Sequence, residues 1–150
     1  MMAESPSIAA VREEIEALHR FFVAWFSGAC ADDHALFERE LLDRLDAEFM
    51  LVPPAGTLLS SDDLTGGIRA AYGSNPDFRI AIRNLRIRHR WDRHLLATYE
   101  EWQRNARAST PPDNGRVATV LFDVDRGFRW LHVHETWLPE SLMRAGPYDF

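Results

Sequence analysis

Lysine is absent from this sequence, and all 17 basic residues are arginine. That excludes Schiff-base chemistry on a lysine amine. Cysteine occurs once, at Cys30, so no internal disulfide can form. A reducing cytoplasm is therefore the expected compartment. Cys30 itself reads as a buried or tolerated thiol rather than a nucleophile. No apolar run approaches the roughly 18–20 residues that span a bilayer. The start of the chain lacks the basic-then-apolar pattern of a secretion signal. Eight glycines and eight prolines are too few for a low-complexity chain. No nucleophile-elbow serine, phosphate loop or dinucleotide fingerprint is present, and no cofactor is expected.

What is present is an ordinary globular composition: 46% hydrophobic and 27% charged over 150 residues. One domain is expected over 1–150, with a core at about 8–140 and a tail at 141–150. The net charge of −6 argues against general nucleic-acid binding. The charge is uneven, at −8 over the first 75 residues and +2 over the last 75. Six arginines between Arg79 and Arg93 crowd one predicted hairpin. With little aromatic interleaving, they read as a solvated strand guarded against edge pairing.

Periodicity divides the chain. Ser5-Pro6 reads as a cap with proline at the first helical position. Ile8, Val11, Ile15, Leu18, Phe22 and Trp25 then recur at spacings of three and four, the stripe of a helix. Gly28 is a stop signal. Asp32-Asp33 opens a second helix with Phe37, Leu41 and Leu45 on its buried face. A short strand at Glu48–Val52 ends at Pro53-Pro54-Ala55-Gly56. Ser60-Ser61-Asp62-Asp63 resembles a capping box for a third helix, which Gly66-Gly67 weakens by about 1 kcal/mol per glycine.

From Asp77 the period becomes two. Phe78, Ile80 and Ile82 alternate with arginines, and the apolar phase then slips by one to Leu85 and Ile87. Such a slip predicts a β-bulge and a bent strand. Further strands are predicted at Leu95–Arg104, Val117–Val124 and Arg129–Leu138, so the class is α+β, with helices first and an antiparallel meander after. Ala118, Val120, Phe122 and Val124 form one apolar face, while Val117 and Leu121 are apolar on the other. A sheet apolar on both faces needs cover on both. Three helices cover one face only, so the second face is expected to meet another subunit.

The final strand, Trp130-Leu131-His132-Val133-His134-Glu135-Thr136-Trp137, is similar to the Trp-x-x-Val-His-x-His strand that closes the association (hub) domain of calcium/calmodulin-dependent kinase. It also resembles bacterial SnoaL-like stand-alone domains of unknown function. Tyr99-Glu100-Glu101-Trp102-Gln103 and the Pro54-Ala55-Gly56 turn fit those bacterial domains. The resemblance spans about residues 8–140 and implies the nuclear transport factor 2-like superfamily. Its fold is a cone, with three N-terminal helices packed on a strongly bent antiparallel sheet.

The resemblance implies a conical pocket with Glu135 pointing inward, where the kinase hub often has arginine. Val133 and Trp137 share that face by alternation, and His132 and His134 point to the expected dimer face. Carried across the sheet, this register sends Thr119, Leu121, Glu100 and Trp102 inward. The expected pocket is Trp25, Tyr72, Glu100, Trp102, Thr119, Glu135 and Trp137. Glu100 and Glu135 would lie roughly 10 Å apart, by the spacing of strands. They are the candidate acid and base, unless each simply pairs with an arginine such as Arg83 or Arg69. His132-x-His134 has the spacing of a metal pair but no third ligand nearby, so no metal is expected. No activity known in the superfamily transfers residue by residue. The first helix carries Phe22 and Trp25 where the ketosteroid isomerase type has a tyrosine. The leading expectation is a homodimer that binds a small apolar or mixed ligand. The alternatives are an isomerase, dehydratase or hydrolase using a pocket carboxylate, and a non-catalytic oligomerisation module.

Overall fold

The computed structural model describes residues 4–150. The amphipathic stripe forms α1 (Ile8–Ser27). Its cap is Ser7, whose side chain accepts from the Ala10 backbone N–H, two residues after the cap expected at Ser5. Gly28 ends it in the left-handed region at φ 75°, a conformation glycine adopts without steric cost. Asp33 caps α2 (His34–Glu40), and a single tight turn at Leu42–Arg44 leads into β1 (Leu45–Val52). A two-residue strand, β2 (Leu59–Ser60), precedes α3 (Ser61–Ala70). The capping box is formed reciprocally by Ser60 and Asp63.

Four long strands follow: β3 (Arg79–Trp91), β4 (His94–Arg104), β5 (Asn114–Asp123) and β6 (Arg129–Trp137). The sheet order is β2-β1-β6-β5-β4-β3. β1 runs parallel to β6, and every other neighbouring pair is antiparallel. The phase slip read after Ile82 is a real bulge. Arg83 pairs with Glu100 and Arg86 with Thr98, so β3 carries one residue more than β4 there. Asn84 absorbs it at φ 54°. A second shift lies between Ile87 and His89. Two extra residues on one strand bend the sheet around α1.

A further bulge lies on β6. Leu121 pairs with His132 but Phe122 pairs with Trp130, which leaves Leu131 as the extra residue. From His132 onward this reverses the face that an unbulged hairpin would assign. It decides the register of the functional site.

Val11, Ile15, Leu18, Phe21 and Trp25 of α1 are buried against the concave face, with Leu95, Ala97, Val120, Phe122 and Trp130 beneath them. Removing such side chains from water is the main stabilising term. Glu14 ties this layer together: Arg44 donates to its carboxylate at 2.6 Å and the Trp130 indole donates at 2.8 Å. Within the expected tail, Glu140–Ala145 forms a short helix, α4. The residues after it fold back onto the convex side of β3 and β4. Tyr148 packs edge-on against Trp102, Arg83 donates to the Pro147 carbonyl, and Arg104 donates to that of Tyr148. Among the described residues no helix is long and apolar enough to cross a membrane.

Candidate functional site

The bent sheet and α1–α3 enclose a cavity of about 200 Å³. Most of its wall is apolar, including Leu18, Phe22, Phe49, Phe78 and Val133. Six polar side chains enter it: His19, Tyr99, Glu101, Gln103, Arg116 and Glu135. They come from three facing strands and one helix. β4 offers Tyr99, Glu101 and Gln103; β5 offers Arg116; β6 offers Glu135; and α1 offers His19. Residues paired across a sheet share a face. Glu101 pairs with Arg116, Tyr99 with Ala118, and Ala118 with Glu135.

The proton positions in this cluster follow from its partners. His19 Nδ1 lies 2.7 Å from the Ile15 carbonyl, which can only accept, so Nδ1 carries a hydrogen. Nε2 lies 2.9 Å from Glu101 Oε1. Gln103 donates to the other oxygen of Glu101. Burial alone would lower the His19 pKa, but the facing Glu101 carboxylate outweighs it, and the net shift is upward. Burial would likewise raise Glu101, yet His19, Arg116 and the Gln103 amide bring it down to about 2. The two opposite shifts favour the imidazolium–carboxylate form of this pair, within the core.

Glu135 goes the other way. Burial and the neighbouring Glu101 charge push it up to about 7, against the opposing pull of Arg116 and His19. Its contact with Arg116 is long, at 3.5 Å. Arg116 also donates to Asn114 at 3.2 Å and lies over the Trp137 ring at 4.8 Å. The Arg116 Nε–H is buried without a hydrogen-bond partner. Such a donor costs about 1–3 kcal/mol when nothing accepts from it. Burial and both carboxylates raise the Tyr99 phenol well above its usual range. Two carboxylates driven apart in pKa, beside an unpaired donor, form a constellation able to bind a polar group and exchange a proton with it.

The structure gathers only part of the expected site. Glu135 and Val133 line the cavity. Trp137 shares their side but sits at the strand end, stacked under Arg116 and 37% exposed. Thr119 lies on the opposite, convex face, beside Leu121, His132 and His134. Glu100 is on that convex face too, accepting from the Trp102 indole at 2.9 Å. Trp102 is buried, but beneath the C-terminal residues rather than in the cone. The correction has one cause, the β6 bulge at Leu131: without it Thr119, Glu100 and Trp102 would share the face of Glu135, as the sequence register assumed. A one-residue slip moves every side chain of a strand to the other face.

Trp25 and Tyr72 belong to the packing between helices. The Trp25 indole donates to the Ile68 carbonyl at 2.8 Å, and the two rings meet edge-on. The Tyr72 hydroxyl donates to the Cys30 carbonyl. Neither Arg83 nor Arg69 reaches a pocket carboxylate. Arg83 turns outward to the C-terminal residues, and Arg69 pairs with Asp32 at 2.7 Å. Among the described residues no group of three or more His, Cys, Asp or Glu is placed to hold a metal.

No protein-family model and no curated protein sequence matches the chain. Solved structures do. An NTF2-like protein of unknown function from Pseudomonas aeruginosa aligns at TM-score 0.73 and 25% identity, covering 87% of this chain and 99% of that one. A proposed dehydratase of the NTF2-like family from Streptomyces avermitilis aligns at 0.66 and 15%, covering 88% and 96%. The association domain of C. elegans CaMKII aligns at 0.58 and 13%, covering 85% and 96%. The chain has the NTF2-like, cystatin-like α+β fold, in agreement with the superfamily that its final strand resembles. Fold alone assigns no activity.

Proposed function

We propose that this chain is a homodimeric, cytoplasmic ligand-binding domain whose cone holds a small, largely apolar molecule with one polar end. The buried, unpartnered Nε–H of Arg116 at an apolar cavity carries the reading. A bound acceptor would remove the cost of that orphan donor. A cavity of about 200 Å³ is below the roughly 300–1,000 Å³ of most ligand clefts, which limits what enters the closed part of the cone. A thermal-shift screen of neutral carbonyl fragments tests the reading. Stabilisation that saturates with concentration supports it, and a uniformly silent library would remove it.

One observation favours an enzyme as the second reading. Glu135, held at about 7 beside an ionised Glu101, is poised to give or take a proton at neutral pH. Chemical turnover of a hit, cut about 100- to 10,000-fold by Glu135→Gln, would favour catalysis over binding alone.

The dimer is proposed through the convex face. Leu96, Val117, Thr119, Leu121, His132 and His134 line an open hollow there, away from the helices. Leu121→Arg would place an unpaired charge in the interface. It is expected to weaken self-association on the order of 100-fold. Sedimentation velocity should then show a wild-type dimer and a folded mutant monomer at micromolar concentration. A wild-type monomer would contradict the proposal.

A further inference from the structure

A second hollow, of about 550 Å³, opens between α3 and the loop at 105–109. It shares Phe26, Leu64, Ile68, Phe78 and Gln103 with the cavity of the cone, so the two adjoin across these side chains. Their chemistry differs along the path. The inner end holds His19, Tyr99, Glu101, Arg116 and Glu135, whereas the outer hollow adds Leu59, Ala71, Ala106 and Ala108, with Asp63, Ser74, Asn75, Arg107 and Ser109 also on its wall. Each inner carboxylate already faces one cation, His19 for Glu101 and Arg116 for Glu135. An added carboxylate would compete with Glu135 for Arg116, and a neutral acceptor would not.

We infer that the ligand is an elongated amphiphile, with a neutral carbonyl head against Arg116 and an aliphatic tail leaving the cone between α3 and the 105–109 loop. This rests on the ligand-binding reading above and extends it to a chemical class. Gly67 makes the path testable. It lies on α3 at the wall of the outer hollow, and a Cβ built there meets nothing within 4 Å. Gly67→Leu therefore adds bulk at that wall without a clash while replacing a poor helix former by a good one.

The experiment is calorimetry on the full chain with straight-chain primary amides from butanamide to octanamide. Each added methylene is expected to tighten binding about fourfold, the value of burying a CH₂. In Gly67→Leu, butanamide should bind within about twofold of wild type while octanamide weakens at least about tenfold, since it loses burial of two or more methylenes. Amides that bind with no gain from length, or octanamide unaffected by Gly67→Leu, would overturn the tail path and leave the cavity reading standing. A series in which no amide binds, beside other fragments that do, would overturn the neutral head group. Failure of the amides and of the fragment screen together would remove both readings.

Discussion

Replacing His19 by leucine is expected to destabilise the protein by about 3–5 kcal/mol, the cost of leaving one member of a buried ion pair without its partner. Glu101 would keep its Gln103 contact and the more distant field of Arg116, but lose the group 2.9 Å away that holds it ionised. Its carboxyl should then hold a proton to higher pH than in wild type, because burial raises it. Urea denaturation at pH 7 reads the loss as a lower midpoint at unchanged slope. The double variant His19→Leu/Glu101→Leu removes both charges and should recover most of it, since apolar replacements of buried ion pairs are often neutral. A single variant as stable as wild type would mean that the imidazolium–carboxylate pair does not exist in the folded protein.

The pair also sets the acid behaviour. Glu101 has a folded pKa near 2, below its unfolded value of 4.5. Its contribution is therefore complete above 4.5 and is lost as the pH falls toward 2. His19 is raised above 6.5. Its contribution is complete below that value and is lost as the pH rises through the higher folded pKa.

The second large effect concerns Glu135. Its folded pKa of about 7 lies above the reference of 4.5, so the folded state holds its proton more tightly than the unfolded chain does. Stability should consequently fall as pH rises between 4.5 and 7, by up to about 3 kcal/mol from this group. Glu135→Gln keeps an acceptor for Arg116 and cannot ionise. It should match wild type near pH 4 and exceed it by roughly 2–3 kcal/mol at pH 8. Stability curves measured at the two pH values decide it. A variant less stable than wild type at pH 8 would show that the ionised Glu135–Arg116 pair is favourable, contrary to the balance of burial and charge described above.

The fold was readable because its signals are local. The Ser60–Asp63 box, the Gly28 stop and the slip from Ile82 to Leu85 each report a backbone event within a few residues. The site depends on how strands align, and that alignment turns on Leu131. A leucine in an apolar strand gives no sign that it is the extra residue of a bulge, yet it puts Glu135 on the face of Ala118 and Glu101 rather than on that of Thr119 and Glu100. Two missed residues did carry a signal. His19 stands four residues after Ile15 and three before Phe22, on the buried stripe of α1. Arg116 shares the phase of Ala118, Val120 and Phe122, the apolar face that packs inward. Polar residues in phase with a buried stripe are the ones that must find partners inside. The C-terminal helix was illegible for a different reason. The residues that follow it are held by Trp102 and Arg83, contacts that lie far away in sequence.

The central claim is that Arg116 presents a buried, waiting donor to a ligand in the cone. Its Nε–H can be followed directly in a ¹H–¹⁵N correlation spectrum during titration with hexanamide. The expected result is a saturable shift of that resonance, with matching shifts of the Tyr99 and Glu135 backbone amides. Saturable binding of hexanamide with the Arg116 Nε–H unmoved would contradict the account.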